Sequence, residues 1–128
     1  MQVTIDKIFA DYKGILAADE STGTIEKRFK GVGMPCNEGL RHDYRHQLFA
    51  TIGLEKFIGG VILYDETIRN EETIAPLREK DIVLGIKVDK GAHRYNSEGG
   101  KLTAGLDGLA ERLREYHKLG AKFAKWRA

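Results

Sequence analysis

GILAADEST, residues 14–22, is the stretch on which the fold turns: a short apolar run ends abruptly in Asp19, Glu20, Ser21 and Thr22. Three further runs take the same form, GGVILYDET at 59–67, VLGIKVDK at 83–90 and AKFAKWRA at 121–128. Each apolar run is short enough to be a strand buried on both faces, and the segments between them are mostly helix-patterned. The chain therefore reads as repeated βα units whose chemistry sits at the strand ends.

Working outward, Val3, Ile5, Ile8, Phe9 and Tyr12 largely follow helical spacing and predict an amphipathic first helix that stops near Lys13 and Gly14. Strand one is expected at 15–18. Thr24 is expected to cap a helix carrying Ile25 and Phe29, which Gly31, Gly33 and Pro35 end. Asn37 can cap a longer helix in which Leu40, Tyr44, Leu48 and Ile52 line the face that packs on the sheet. Strand two is expected at 60–64 and runs into Asp65, Glu66 and Thr67, an echo of the Asp-Glu-Ser after strand one. A weak helix at 75–80 leads to strand three at 82–88. Residues 91–102 are polar and glycine-rich and read as a mobile loop over a site. Leu106, Leu109, Leu113 and Tyr116 then recur at helical spacing, and Gly120 supplies the cap before strand four.

Parallel strands separated by helices need right-handed crossovers and cover on both faces. A doubly wound sheet would normally place a glycine-rich phosphate loop after strand one, but Asp19 to Gly23 contains no G-x-G-x-x-G pattern. An α/β fold of the (β/α)8 barrel type is favoured, because its functional side chains come from the C-terminal ends of several strands. Asp19, Asp65, Glu66, Lys87, Asp89, Lys125 and Arg127 all fall there. A whole barrel needs roughly 250 residues, so the 128 residues supply strands one to four, a half-barrel. Residues 1–128 are expected to be the N-terminal half of a single barrel domain. Strands one and four are then open edges, and the surface meant for strands five to eight favours aggregation, dimerisation or partial unfolding.

Composition sets outer limits. With 41% hydrophobic and 31% charged residues and a net charge of +2, this is an ordinary globular chain, not a disordered, membrane or strongly nucleic-acid-seeking one. Lys27, Arg28 and Lys30 form only one small basic cluster, which reads as a solvated face. Cys36 has no internal disulfide partner and fits a packing role in a reducing compartment. Asp6, Lys7 and Asp11 make the N-terminal stretch unlike a signal peptide. A cytoplasmic location, with no membrane and no nucleic-acid partner, is expected. His42 and His46 stand at i and i+4, but Asp43 replaces the Glu of a zinc H-E-x-x-H motif and no third ligand is evident. They read as the polar side of their helix, and no metal site is expected.

GILAADESTGTIEKRF, GGVILYDET, GIKVDKG, GLDGL and FAKWR, in that order, resemble the class I fructose-bisphosphate aldolases of glycolysis. The resemblance runs from about residue 13 to residue 128 and corresponds to strands one to four of the family's barrel. It implies reversible cleavage of fructose 1,6-bisphosphate into dihydroxyacetone phosphate and glyceraldehyde 3-phosphate, through a lysine Schiff base that acts as an electron sink. The imine-forming lysine on strand six and two glutamates on strand five have no matching block here, so the isolated chain is expected to be inactive. By the same resemblance Asp19, Lys87 and Lys125 form the charged cluster that orients sugar hydroxyls and helps proton transfer. Ser21, Thr24, Lys27 and Arg28 lie where the family meets a substrate phosphate, and Arg41 and Arg127 match further substrate-contacting arginines. His42 departs from the family's usual arginine. The implied partners are a phosphorylated sugar, the C-terminal half of the barrel and, in the complete protein, further copies of itself. No cofactor is implied. The alternative reading is a non-catalytic half-barrel that binds phosphorylated sugars or a partner chain.

The residue types suit that ligand on physical grounds alone. Lysine and arginine at strand ends, with hydroxyls at a helix N-terminus, form a receptor for several negative charges. Two neighbouring lysines depress one another's proton affinity and a carboxylate restores the charged form, so Lys87, Lys125 and Asp19 are expected to titrate as one unit.

Overall fold

A computed structural model describes residues 1–95 and 97–127. Four parallel strands, β1 (Gly14–Ala18), β2 (Ile58–Leu63), β3 (Val83–Lys87) and β6 (Phe123–Lys125), pair in that order. β1 and β6 are the edges of this sheet, so among the described residues it does not close into a barrel. The strands match the four apolar runs of the sequence to within two residues at either end.

The register separates the two faces. Leu16, Val61 and Leu84 lie side by side, as do Ala18, Leu63 and Ile86. This face is covered by α3 (Glu38–Ala50), α5 (Glu71–Glu79) and α6 (Leu109–Lys118), which bring Phe49, Ile74, Leu77 and Tyr116 into the same core. The opposite, concave face carries Ala17, Ile62, Gly85 and Phe123 in one row and Lys87 beside Lys125 in the next. A side chain on Gly85 would collide with the Phe123 ring, so the glycine leaves room for the aromatic ring that fills the middle of this face. At the N-terminal ends of the strands, α1 (Gln2–Phe9) buries Ile8 against Gly59 and Gly60.

Several local expectations change. α2 (Thr22–Gly31) has Ser21, not Thr24, at its N-cap position, and the two hydroxyls lie 3.1 Å apart. Asn37 does cap α3, accepting from the Leu40 amide, but the buried face of α3 runs through Arg45 and Phe49. Tyr44 is partly exposed and Ile52 is fully so. His42, expected on the polar side, turns inward, with Nδ1 3.2 Å from Thr73 Oγ1. Arg45 can occupy a core position only because acceptors meet it there, and hydrophobic spacing cannot reveal an acceptor. Asp65, Glu66 and Thr67 open a short helix, α4 (Asp65–Ile68), and the weak helix extends back to Glu71 under the Asn70 cap. The expected loop at 91–102 is a hairpin of β4 (Ala92–Arg94) and β5 (Lys101–Thr103). Its base is tied by Lys90 and Ala104 amide bonds and by Arg112, which donates to the Val88 and Gly105 carbonyls.

Candidate functional site

A cavity of about 750 Å³ opens over the C-terminal ends of the strands. The pleat determines what enters it. Asp19, Tyr64, Lys87, Lys125 and Arg127 continue the concave-face positions of their four strands, and all five line it. Ser21 and Thr24 line it from the N-terminus of α2, whereas Lys27, Arg28 and Arg41 do not.

Two ion pairs occupy the floor. Lys125 Nζ donates to Asp19 Oδ2 at 2.6 Å, with Lys125 about a third exposed. Lys87 takes a different partner from the one expected: its ammonium donates to Asp89 Oδ1 at 2.7 Å and to the Asp89 carbonyl at 2.8 Å. Asp89 also accepts from the Gly91 amide at 3.1 Å and the Arg127 amide at 3.3 Å. Burial pushes the Asp89 carboxyl upward, but these donors outweigh it and hold it below the usual carboxylate range. The two lysines are therefore each neutralised by their own carboxylate. Arg127 and Lys90 carry cationic side chains into the cavity with no acidic partner among the described residues, which leaves net positive charge for an anion.

The wall joins Asp65 and Tyr116 to three residues that spacing had not singled out, Arg69, Arg112 and Glu115. Arg69 spans Asp65 and Glu115, at 2.9 and 2.6 Å, and Tyr116 donates to Asp65 at 2.8 Å. Burial, then the Asp65 carboxylate, push the Tyr116 hydroxyl up. Arg112 completes the wall beneath the hairpin. Tyr64 was findable from the pleat alone; Asp89 had been placed at a strand end but not as the partner of Lys87, and Arg69 and Arg112 become visible only when helices dock.

Behind the cavity, Arg41 forms a close pair with Glu66, with Nε–Oε2 and Nη2–Oε1 distances of 3.0 and 2.5 Å. That pairing holds the Glu66 carboxyl below its usual range, against the opposing effect of burial. Arg45 lies beside it, fully buried, with Nη1 3.5 Å from Glu66 Oε2. Glu38, His42 and Glu66 bring possible metal-ligating atoms within 4.8 Å of one another. Glu66 already accepts from two guanidiniums, whose charge opposes a cation at that point.

The family model for class-I fructose-bisphosphate aldolase matches residues 1–128. This chain belongs to the class I fructose-bisphosphate aldolase family. It is 48% identical over 128 residues to fructose-bisphosphate aldolase 1 of Toxoplasma gondii, covering 95% of this chain and 35% of that one. It is 50% identical over 131 residues to a probable class 1 aldolase of Xylella fastidiosa, covering 98% and 39%. A solved aldolase of Plasmodium falciparum, in complex with TRAP and a small-molecule inhibitor, superposes with a TM-score of 0.94 at 47% identity, over 98% of this chain and 38% of that one. The aldolase-family chain thus spans little more than a third of the relatives it matches, and its four-stranded sheet is part of the fold of a complete aldolase. Among the described residues, no helix is long and apolar enough to cross a membrane.

Proposed function

We propose that these residues carry the acid-base and phosphate-binding part of an aldolase site for fructose 1,6-bisphosphate, within a (β/α)8 barrel that this half-barrel begins. The observation that carries the reading is the convergence of Asp19, Lys87, Lys125 and Arg127 on one cavity, from three different strands and the segments that extend them. Among the described residues Arg127 and Lys90 are cations without acidic partners, and the paired Ser21 and Thr24 hydroxyls stand at the N-terminus of α2; both features suit a sugar phosphate.

In this reading the phosphates are drawn to Arg127, Lys90 and the start of α2. Lys125, hydrogen-bonded to Asp19 at 2.6 Å, donates to a sugar hydroxyl, and Asp19 accepts the proton of a neighbouring one. Lys87, paired with Asp89, stabilises negative charge that develops as the carbon–carbon bond breaks. Lys27, Arg28 and Arg41 reach substrate only by leaving the positions they hold here. The imine-forming lysine lies outside these residues, so the 128-residue chain alone is inactive. The complete protein is a cytoplasmic, homo-oligomeric glycolytic enzyme.

Borohydride trapping with intact mass measurement tests this reading. With fructose 1,6-bisphosphate the isolated chain is expected to gain no adduct. A fusion to the remaining part of the Toxoplasma gondii relative is expected to gain one and to cleave the sugar. An adduct on the isolated chain would place the imine on one of its own lysines and overturn the assignment. An inactive but folded fusion would overturn the aldolase reading itself.

A further inference from the structure

Arg45 is the largest fully buried side chain of the protein, and it is charged. It reaches inward from α3 between the ends of two strands. Nη2 donates to the Glu20 carbonyl at 2.6 Å, Nη1 faces Glu66 Oε2 at 3.5 Å, and the guanidinium lies 5.9 Å from the centre of the Tyr64 ring. It touches none of the cavity itself. Each contact, however, is made to a lining residue or to the neighbour of one: Glu20 and Tyr64 line the cavity, and Glu66 follows the lining Asp65.

A buried guanidinium is a poor way to gain stability, because an apolar side chain of similar volume generally serves as well without the cost of taking a charge out of water. What the planar fork offers is geometry: two acceptors on different segments are held at a fixed separation by one rigid group. The turn after β1 needs such a restraint. β1 is an edge strand with a partner on one side only, and its last paired residue is Ala18, so Asp19 lies just beyond the ladder. The Glu20 side chain is occupied elsewhere, by Arg28 on the exposed side.

We propose that Arg45 is a positioning residue for the Asp19–Lys125 pair, clasping the Glu20 carbonyl so that the backbone carrying Asp19 is set at hydrogen-bond distance from Lys125. Glu66 anchors the other arm of the fork, and Arg41 in turn holds Glu66 from the preceding turn of α3. The end of β1 is thereby referenced to the end of β2 by α3, independently of the strand ladder. The catalytic importance of the pair rests on the aldolase reading above; the clasp itself does not.

The test follows the pair directly by NMR in the 128-residue chain. The coupling across the hydrogen bond between Lys125 Nζ and the Asp19 carboxyl carbon reports the pair, and the methyl signals of Leu63 and Ile86 report the core. Arg45→Lys keeps a buried cation and removes the fork; loss of the coupling with native-like core signals is expected. Arg28→Gln, which frees the Glu20 side chain but leaves the carbonyl clasped, is expected to retain the coupling. Persistence of the coupling in a folded Arg45→Lys chain overturns the proposal, and so does its loss in Arg28→Gln. If Arg45→Lys does not fold, the unaltered chain decides. On heating, the Lys125–Asp19 coupling is expected to vanish together with that from Arg45 to the Glu20 carbonyl. Its survival after the clasp is gone overturns the proposal. Neither readout involves a ligand, so failure here is distinct from failure of the sugar-phosphate reading, which borohydride trapping judges.

Discussion

Lys125 Nζ meets Asp19 Oδ2 at 2.6 Å although the two residues belong to opposite edges of the four-stranded sheet. In a flat sheet three strand spacings would separate those edges by roughly 14 Å. The long lysine side chain and the curl of the sheet toward its concave face close that gap. The sheet is already bent as a barrel wall is, before any closing strand is added.

The pair is partly solvated, so it is expected to matter more for binding than for stability. Lys125→Met is expected to weaken fructose 1,6-bisphosphate binding about tenfold, the loss of one charge-assisted hydrogen bond. Asp19→Ala, which removes an acceptor for a sugar hydroxyl together with a negative charge from the floor, is expected to weaken binding by less than Lys125→Met does. Unfolding free energies of both variants are expected to change by less than about 1 kcal/mol. Calorimetric titration and urea unfolding check the two halves of this prediction.

Glu66 faces the opposite balance, since it lies between two guanidiniums and one of them is fully buried. Glu66→Ala strands the Arg45 charge in the core and is expected to cost about 3 kcal/mol in urea unfolding. An unchanged midpoint would mean that water replaces the carboxylate.

Acid sensitivity follows from the two depressed carboxyls. Asp89 and Glu66 both titrate below their unfolded values, so each contributes stability above the unfolded pKa and loses it as pH falls through the folded one. Unfolding free energy is therefore expected to decline from about pH 5 downward. Asp89→Asn is expected to start lower and to show a shallower decline, measurable as urea midpoints across a pH series.

Gly85→Ala drives a methyl group into the Phe123 ring and is expected to destabilise by about 1–3 kcal/mol. The double variant Gly85→Ala, Phe123→Leu is expected to recover part of that loss. Additive losses in a double-mutant cycle would show that the two sites do not interact.

Asn70 accepts from the Thr73 amide at 2.9 Å and starts α5. Asn70→Ala is expected to cost about 1 kcal/mol. Asn37→Ala, at the equivalent position of α3, is expected to cost a similar amount, and both are read from thermal or urea melts.

The echo between Asp19-Glu20-Ser21 and Asp65-Glu66-Thr67 shows how far sequence reading carries. Both clusters do end strands, as the apolar runs require. The ladder, however, pairs Ala18 with Leu63, so Asp19 stands level with Tyr64 and the two motifs are out of phase by one residue. Asp19 enters the cavity floor and pairs with Lys125, while Asp65 receives Tyr116 and Arg69 at the wall and Glu66 turns back to α3. A shift of one residue reverses the face to which a strand side chain points. Nothing in either motif alone states that shift.

The four strands, most of the helices between them, the parallel α/β class and the family are legible in the amino-acid order, because short apolar runs and helical spacing are local properties of the chain. So are the charges that end the strands. Which carboxylate each lysine meets, the place of Arg45 in the core, and the pairing of Arg41 with Glu66 behind the cavity emerge only when the elements pack. Those outcomes depend on register, curvature and helix docking, which bring together groups as far apart as Asp19 and Lys125. A charged side chain acquires its role from the partner it finds there, and that partner is not encoded in its own neighbourhood.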